Sequence, residues 1–369
     1  MTKHVLIVSP IPSHPQFQGN SARIYRLNQM FKQCGYKIHF VYFGMEGLSD
    51  TQRQAMEKDW DYFHFVRPEG PAAQPAYGEY FDIDDWYDQR VSILVEKLCL
   101  KWKYDVCLVN YVWFSKVLDA IPENVYKVID THDVFGDRHI VAKEAGLEPV
   151  WFYTTKALEG YGLNRADLVI AIQDEEAAYF KTITDTTVEV IGYVTPLQKL
   201  QQLAPPKNKI RVGYIGSGNP FNVKSIEGLQ EAIIANADVL GKYEFYLAGT
   251  ICNLFKDRNE VFNIVGMVGE LDEFYRDIDI AINPMVGGTG LKIKSLEALS
   301  FEKPLMATSD AMVGIPTMEQ YQQASSISEI IESLGVLDDS SYERLIENSK
   351  RVFDQYNAEH ISTFKKLFG

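Results

Sequence analysis

The segment Asn283-Pro284-Met285-Val286-Gly287-Gly288-Thr289-Gly290-Leu291-Lys292-Ile293-Lys294-Ser295-Leu296-Glu297-Ala298-Leu299 brings together a glycine-rich turn, two lysines and a carboxylate. The apolar run from Ile278 to Ile282 before it predicts a buried strand, and the spacing of Leu291, Leu296 and Leu299 predicts a helix. A glycine turn that feeds a helix start presents free backbone N–H groups and the positive end of the helix dipole. Lys292 and Lys294 fall in that first turn, where the dipole disfavours cations; an anion bound there accounts for the placement. Glu297 follows on the same helix and lies near the same cleft if the helix faces it. Phosphate at one end with a carboxylate beyond it suits a nucleoside diphosphate and its ribose. The plain alternative is a strand-to-helix turn of the common α/β kind with its lysines in water.

Two further segments imitate other chemistries. Val212-Gly213-Tyr214-Ile215-Gly216-Ser217-Gly218-Asn219-Pro220-Phe221 approaches a dinucleotide fingerprint, but Phe221 stands where a third glycine is required for close helix–strand packing, and Pro220 is expected to disturb the turn. The next predicted strand ends in Ala248-Gly249-Thr250, with no acid for an adenosine ribose. A nicotinamide enzyme is disfavoured, while the glycines can still approach a phosphate. Asp82-Ile83-Asp84-Asp85 has the outline of a D-x-D metal site but lacks a histidine or strand beside it, so a solvated acidic loop is the expectation.

Composition sets the class. The chain has 369 residues, 46% of them hydrophobic, enough for about two domains with full cores. A net charge of −14 argues against nucleic acid as the main partner and leaves room for a local cationic pocket. Cys34, Cys99, Cys107 and Cys252 have no CxxC spacing and sit in apolar stretches, as expected of reduced buried thiols in a cytoplasmic protein. The first apolar run reads as a strand, too short for a signal-peptide core, and no stretch reaches membrane-span length.

Apolar runs alternate with helical patterns in both halves. Strands are predicted at 5–8, 37–42, 106–109, 126–130, 168–172 and 188–191, then at 210–215, 243–248, 261–265, 278–283 and 304–307. Helices are predicted at about 20–34, from about 223, and over 342–368, while 65–88 reads as an irregular excursion. This is an α/β pattern of two Rossmann-like domains, 1–195 and 209–352, joined by a Pro-rich linker at 196–208. The last helix, about 353–369, is expected to pack back on the first domain.

Taken together, these segments resemble the GT-B glycosyltransferases of the family 4 type (glycosyl transferases group 1), with the most specific match from Val265 to Thr308. That region holds the glycine loop, the basic helix start, the Leu296-Glu297-Ala298-Leu299 element and Lys303-Pro304-Leu305-Met306-Ala307-Thr308. Phe17-Gln18-Gly19-Asn20-Ser21-Ala22-Arg23, Ile129-Asp130-Thr131-His132-Asp133-Val134-Phe135 and Arg165–Ala171 match more loosely in the first half. The resemblance implies two Rossmann-like domains facing across a cleft. It carries a ribose contact to Glu297 and diphosphate contacts to Lys294 and Lys224, with Lys292 a weaker match. Gly216, Ser217, Gly218, Asn219, Gly288, Thr289, Gly290 and Leu291 would complete the donor site. On the acceptor side it points to Gly19, Asn20, Arg23, Asp133 and, as a catalytic group, His132, whose ring Asp130 and Asp133 could orient. Arg23 and Arg26 could equally be solvated on a helix face. The family's earlier glutamate of an E-x7-E pair is missing, because Thr289 occupies that position.

The implied activity is metal-independent, retaining transfer from a UDP- or GDP-linked sugar to a glycan or lipid-linked saccharide, with no cofactor. A role in bacterial surface polysaccharide or glycoconjugate synthesis follows by the same resemblance, as does a cytoplasmic location with transient contact at the inner face of a membrane. A nucleotide-sugar 2-epimerase and a non-catalytic sugar-nucleotide-binding partner subunit are the competing expectations.

Overall fold

The computed structural model describes residues 2–16, 18–70, 73–144, 148–149, 151–200, 208–287 and 290–369. They form two compact units: residues 1–194 with 360–369, and residues 195–359. Phe17, Gly288, Thr289 and linker residues 201–207, for which the sequence carries expectations, lie outside the described residues.

Unit 1 is built on strands β1 (Lys3–Ser9), β2 (Tyr36–Phe43), β3 (Tyr62–Val66), β4 (Val106–Asn110), β5 (Tyr126–Asp130), β6 (Leu168–Ala171) and β7 (Thr187–Val190). All pairings are parallel, in the order β3-β2-β1-β4-β5-β6-β7. Its helices are α1 (Gly19–Gln33), α2 (Asp50–Asp59), α3 (Gln89–Lys101), α4 (Arg138–Glu144), α5 (Lys156–Leu163) and α6 (Asp174–Phe180). The central strands are buried on both faces, which explains their continuous apolar runs. Strand β3 was not expected. Its sequence, YFHFV, is half-exposed and lies at the sheet edge, so it has neither a continuous apolar run nor a clean alternation.

Unit 2 carries β8 (Ile210–Ile215), β9 (Tyr243–Ala248), β10 (Phe262–Gly266), β11 (Ile280–Asn283) and β12 (Leu305–Ala307), parallel and ordered β10-β9-β8-β11-β12. Around them lie α7 (Pro220–Ala235), α8 (Cys252–Phe255), α9 (Leu271–Asp277), α10 (Ile293–Ser300), α11 (Ile327–Val336) and α12 (Asp339–Phe368). Pro220 does not disturb the turn. It is the first residue of α7, where its missing N–H costs nothing, and the Asn219 side chain caps the helix by accepting from the Asn222 N–H. Helix α12 begins in unit 2 and ends in unit 1, where Phe364 and Phe368 pack on Phe31 at 4.8 and 4.9 Å between ring centres.

The 82–85 loop is more ordered than a solvated acidic loop. Asp84 holds Arg165 through two bonds of 2.6 and 2.8 Å, and Asp85 accepts the backbone N–H groups of Ala76 and Asp82.

At the opposite, N-terminal end of the unit 1 sheet, His39 is fully buried between His4 at 3.0 Å and the Tyr104 hydroxyl at 3.1 Å. Burial first, then His4 and His64, push its pKa from 6.5 down to about 3. Between those values the unfolded chain binds a proton that the folded chain refuses, so this residue's contribution to stability falls as pH drops below 6.5. From pH 7 to 5 the loss attributable to His39 is about 2 kcal/mol. Urea unfolding at those two pH values should show a smaller drop for His39→Gln than for the parent by about that amount. Equal drops would contradict the assignment.

Candidate active site: a lysine–glutamate pair and a clamped histidine

In each parallel sheet the strand order reverses once, between β8 and β11 in unit 2 and between β1 and β4 in unit 1. Ligands of open α/β sheets bind beyond the carboxyl ends of strands at such a switch point. The loops that carry the predicted donor residues, 216–219 after β8 and 284–292 after β11, flank that point in unit 2.

The first loop is fixed by its neighbours. Gly249 has φ of +91°, and a side chain there would lie 2.3 Å from the Gly216 carbonyl oxygen, so only glycine fits. The Gly218 N–H donates to the Thr250 hydroxyl at 3.2 Å, and the Asn222 amide donates to the Ser217 carbonyl at 2.8 Å. The second loop is stapled at several points. Gly287 N–H donates to Asp310 at 2.6 Å, Val286 N–H donates to the Ser225 hydroxyl at 3.2 Å, and the Thr308 hydroxyl donates to the Met285 carbonyl. Gly287 and Gly290 both have positive φ, which makes the turn possible. Asn283 reaches forward to Ser295 at 2.8 Å and ties the strand end to α10.

Helix α10 starts without an acid in its first turn and without a side-chain cap. Lys292 is its N-cap residue and is buried, with Nζ donating to the Gly290 carbonyl at 2.6 Å. Lys294 is half-buried; its Nζ donates to Asn222 Oδ1 at 3.1 Å and lies 5.9 Å from the Tyr214 ring centre. Burial brings its pKa down to about 8, assisted by Lys292 and opposed by Glu297. Glu297 is also half-buried and accepts from the Tyr275 hydroxyl at 3.1 Å. Burial raises its carboxyl to about 7 against the pull of Tyr275 and Lys294. Behind the pair, a narrow pocket is lined by Tyr214, Tyr275, Asn283 and Lys294, and the Tyr214 hydroxyl and Asn283 Oδ1 are buried there without hydrogen-bond partners among the described residues.

The structure therefore brings Gly216, Ser217, Gly218, Asn219, Gly290, Leu291, Lys292, Lys294 and Glu297 to the loops and helix starts beside one switch point. Lys224 is exposed on α7 with no partner among the described residues. Sequence reasoning missed Asn222 and Tyr275, which hold Lys294 and Glu297 from 72 and 22 residues away. Tyr275→Phe removes the bond that pulls the Glu297 pKa down. The pH at which Glu297 ionises should rise, and affinity for UDP at pH 7 should fall about fivefold. Titration calorimetry at pH 6, 7 and 8 checks this.

In unit 1, His132 follows β5 with φ of +63° and stacks on Tyr111 with ring centres 4.2 Å apart. Its Nε2 is 2.8 Å from Asn110 Oδ1 and 3.1 Å from Asp130 Oδ2. Asn110 gives its amide hydrogen to the Val8 carbonyl, so its oxygen faces the ring. Two acceptors at Nε2 require that Nε2 carry the hydrogen, which leaves Nδ1 as the atom able to take a proton. Asp130 is itself clamped by Arg23 through Nε bonds of 3.1 and 2.9 Å and an Nη2 bond of 2.6 Å, with both side chains buried. Burial acts to raise the Asp130 carboxyl, but Arg23 and His132 outweigh it and hold the pKa down at about 2.

This corrects two expectations. Arg23 is neither solvated nor available to a phosphate or acceptor; it is 1% exposed and committed to Asp130 and the Gly192 carbonyl. Of the two acids flanking His132, Asp130 orients the ring, while Asp133 pairs with Arg138 at 2.8 Å. Asn20 reaches the site through the Tyr111 hydroxyl at 3.1 Å, and Gly19 is the first residue of α1.

Two parallel α/β units with these strand orders have the GT-B fold. Residues 209–329 match the family described as glycosyl transferases group 1. Over its full length the chain is similar to the crystal structure of TarM, with a TM-score of 0.71 at 10% identity, covering 100% of this chain and 99% of that one. Sucrose-phosphate synthase from Thermosynechococcus elongatus gives 0.64 at 15% identity, with 99% of each chain covered. Anabaena HepE in complex with UDP and glucose gives 0.60 at 14% identity, covering 98% of this chain and 99% of that one. At these identities the likeness is one of fold. No functionally curated protein matches the chain in sequence. Among the described residues no helix is long and apolar enough to cross a membrane.

Proposed function

We propose that the chain is a glycosyltransferase that moves a sugar from a nucleoside diphosphate sugar to an acceptor hydroxyl, with retention at the anomeric carbon and without a metal ion. The observation that carries this reading is the Lys294–Glu297 pair on α10, set beside a glycine turn at the switch point of unit 2. In the reaction the bond from C1 to the diphosphate oxygen breaks and its electron pair stays on the diphosphate. The acceptor oxygen bonds to C1 from the face the diphosphate leaves, and its proton passes to His132 Nδ1. The growing negative charge meets Lys294, Lys292 and the start of α10. One exposed helix end supplies about 0.3–1 kcal/mol, and one preorganised donor at a developing oxyanion about 3 kcal/mol. Together these lower the barrier without a Lewis acid. Glu297 holds the ribose: its Oε2 has no hydrogen-bond partner among the described residues.

HepE, with UDP bound in its structure, makes uridine the first nucleotide to test, and GDP the second. A glycan or lipid-linked saccharide acceptor, in the synthesis of a bacterial surface polysaccharide or glycoconjugate at the cytoplasmic face of a membrane, is part of the same proposal. The test is release of nucleoside diphosphate from UDP-glucose, UDP-N-acetylglucosamine and GDP-mannose with EDTA present. The anomer of the freed or transferred sugar is read by NMR. Release with the α-configuration kept supports the reading. No release from any donor, or a 2-epimeric sugar as product, contradicts it.

A further inference from the structure

Helix α6 carries two buried oxygens that no described residue satisfies. Gln173, its N-cap residue, is 4% exposed and Glu176 is 6% exposed, and neither Gln173 Oε1 nor Glu176 Oε2 has a hydrogen-bond partner among the described residues. Three residues apart at a helix start, they lie on one face. A buried polar atom left unpaired costs about 1–3 kcal/mol. Two on one face are easiest to understand if a ligand supplies the missing donors.

The charges around the two oxygens decide what the place excludes. After burial, the charge that acts most on Glu176 is Asp133, followed by Arg23 and Asp130. Asp130 ends β5 and Asp133 follows it, beside the end of β6 from which Gln173 continues, and Arg23 reaches Asp130 from α1. Burial first, and then Asp133, push the pKa of the Glu176 carboxyl up to about 8. At neutral pH it is therefore mostly protonated, able to give one hydrogen and accept another. Arg23, the cation acting on Glu176, is spent on Asp130, and Arg138 is spent on Asp133. Glu46 adds negative charge facing Tyr111. An anionic group would meet carboxyls here and, among the described residues acting on Glu176 and Asp133, only arginines already paired.

We propose that Gln173 and Glu176, with His132, form a subsite in unit 1 that takes an uncharged polyhydroxyl group, the sugar ring of a neutral acceptor, and rejects a uronate or phosphate-bearing one. This rests on the transferase reading above and specifies its acceptor. A neutral ring presents adjacent O–H donors to the two unpaired oxygens and to His132 Nδ1. A carboxylate or phosphate has no hydrogen to give and adds repulsion.

The test is saturation-transfer NMR with UDP present. The probes are methyl α-D-glucopyranoside, methyl α-D-glucopyranosiduronate and glycerol 3-phosphate, against wild type, Glu176→Leu and Gln173→Leu. Calorimetry with UDP runs in parallel. The expected result is binding of the neutral glycoside in preference to both anions, weakened about tenfold in each variant, with UDP affinity unchanged. Gln173→Leu leaves the carboxyl in place and serves if Glu176→Leu fails to fold. Failure of wild type to bind UDP overturns the transferase reading and this inference with it. If UDP binds, three outcomes overturn this inference alone: no glycoside binding, glycoside binding that ignores both substitutions, or preference for an anion.

Discussion

Lys294→Ala is expected to lower kcat/KM for sugar transfer by about 10²–10³-fold, the loss found when one donor to a developing oxyanion is removed. The lysine is poised for that role by its surroundings. Asn222 fixes Nζ at 3.1 Å, and burial has brought its pKa to about 8, so it still carries its proton at neutral pH. A bound diphosphate restores the opposite charge that burial withholds. Glu297, with a pKa of about 7, has the complementary requirement. As a carboxylate it is a stronger acceptor for ribose hydroxyls than as an acid. Affinity for UDP should therefore rise as pH increases through about 7 and fall again through about 8. Glu297→Gln should remove the acid limb and Lys294→Met the alkaline one. Calorimetric titrations from pH 6 to 9 read both limbs. A flat profile in the wild type would sink the assignment of the pair.

His132→Ala should lower kcat by about 10²–10⁴-fold, the range for loss of a positioned acid–base group, while UDP affinity stays within about twofold. The residue adopts φ of +63°, where alanine is strained and asparagine less so. His132→Asn is therefore the control that separates lost chemistry from lost backbone geometry. The two variants should be equally inactive. Because Asp130 and Asn110 keep the hydrogen on Nε2, the wild-type ring should show the Nε2–H tautomer by nitrogen NMR. Unchanged transfer in both variants would remove His132 from the mechanism.

The strands and the donor loop could be read from sequence because local signals carry them. Parallel strands buried on both faces are apolar throughout, and a glycine turn before a periodic helix is a contiguous pattern. Strand β3 has neither property, since aromatic residues at a sheet edge leave no clear period. Helix α7 starts at Pro220, ahead of the expected start near Val223, because proline, a breaker inside a helix, is favourable at its first position. The side chains that tune the sites are less legible still. Arg23 meets Asp130 across 107 residues, and Asn222 meets Lys294 across 72. Such pairs are made by sheet order, and composition or spacing holds no trace of them. An arginine on a helix face looks solvated until the neighbouring strand end is known. Gln173 and Glu176 look like an ordinary acidic helix start for the same reason; their burial becomes visible only once β5 and β6 are side by side.

The most direct test of the central claim, that unit 2 holds a nucleoside diphosphate through Lys294 and Glu297, is calorimetric titration with UDP, GDP, dTDP, ADP and NAD. Wild type and Lys294→Ala would be measured at pH 7.5 with chelator present. The account predicts tight binding of one nucleoside diphosphate, UDP first, and a loss of at least about tenfold in the variant. Equal affinity in both proteins, or binding of NAD alone, would contradict it.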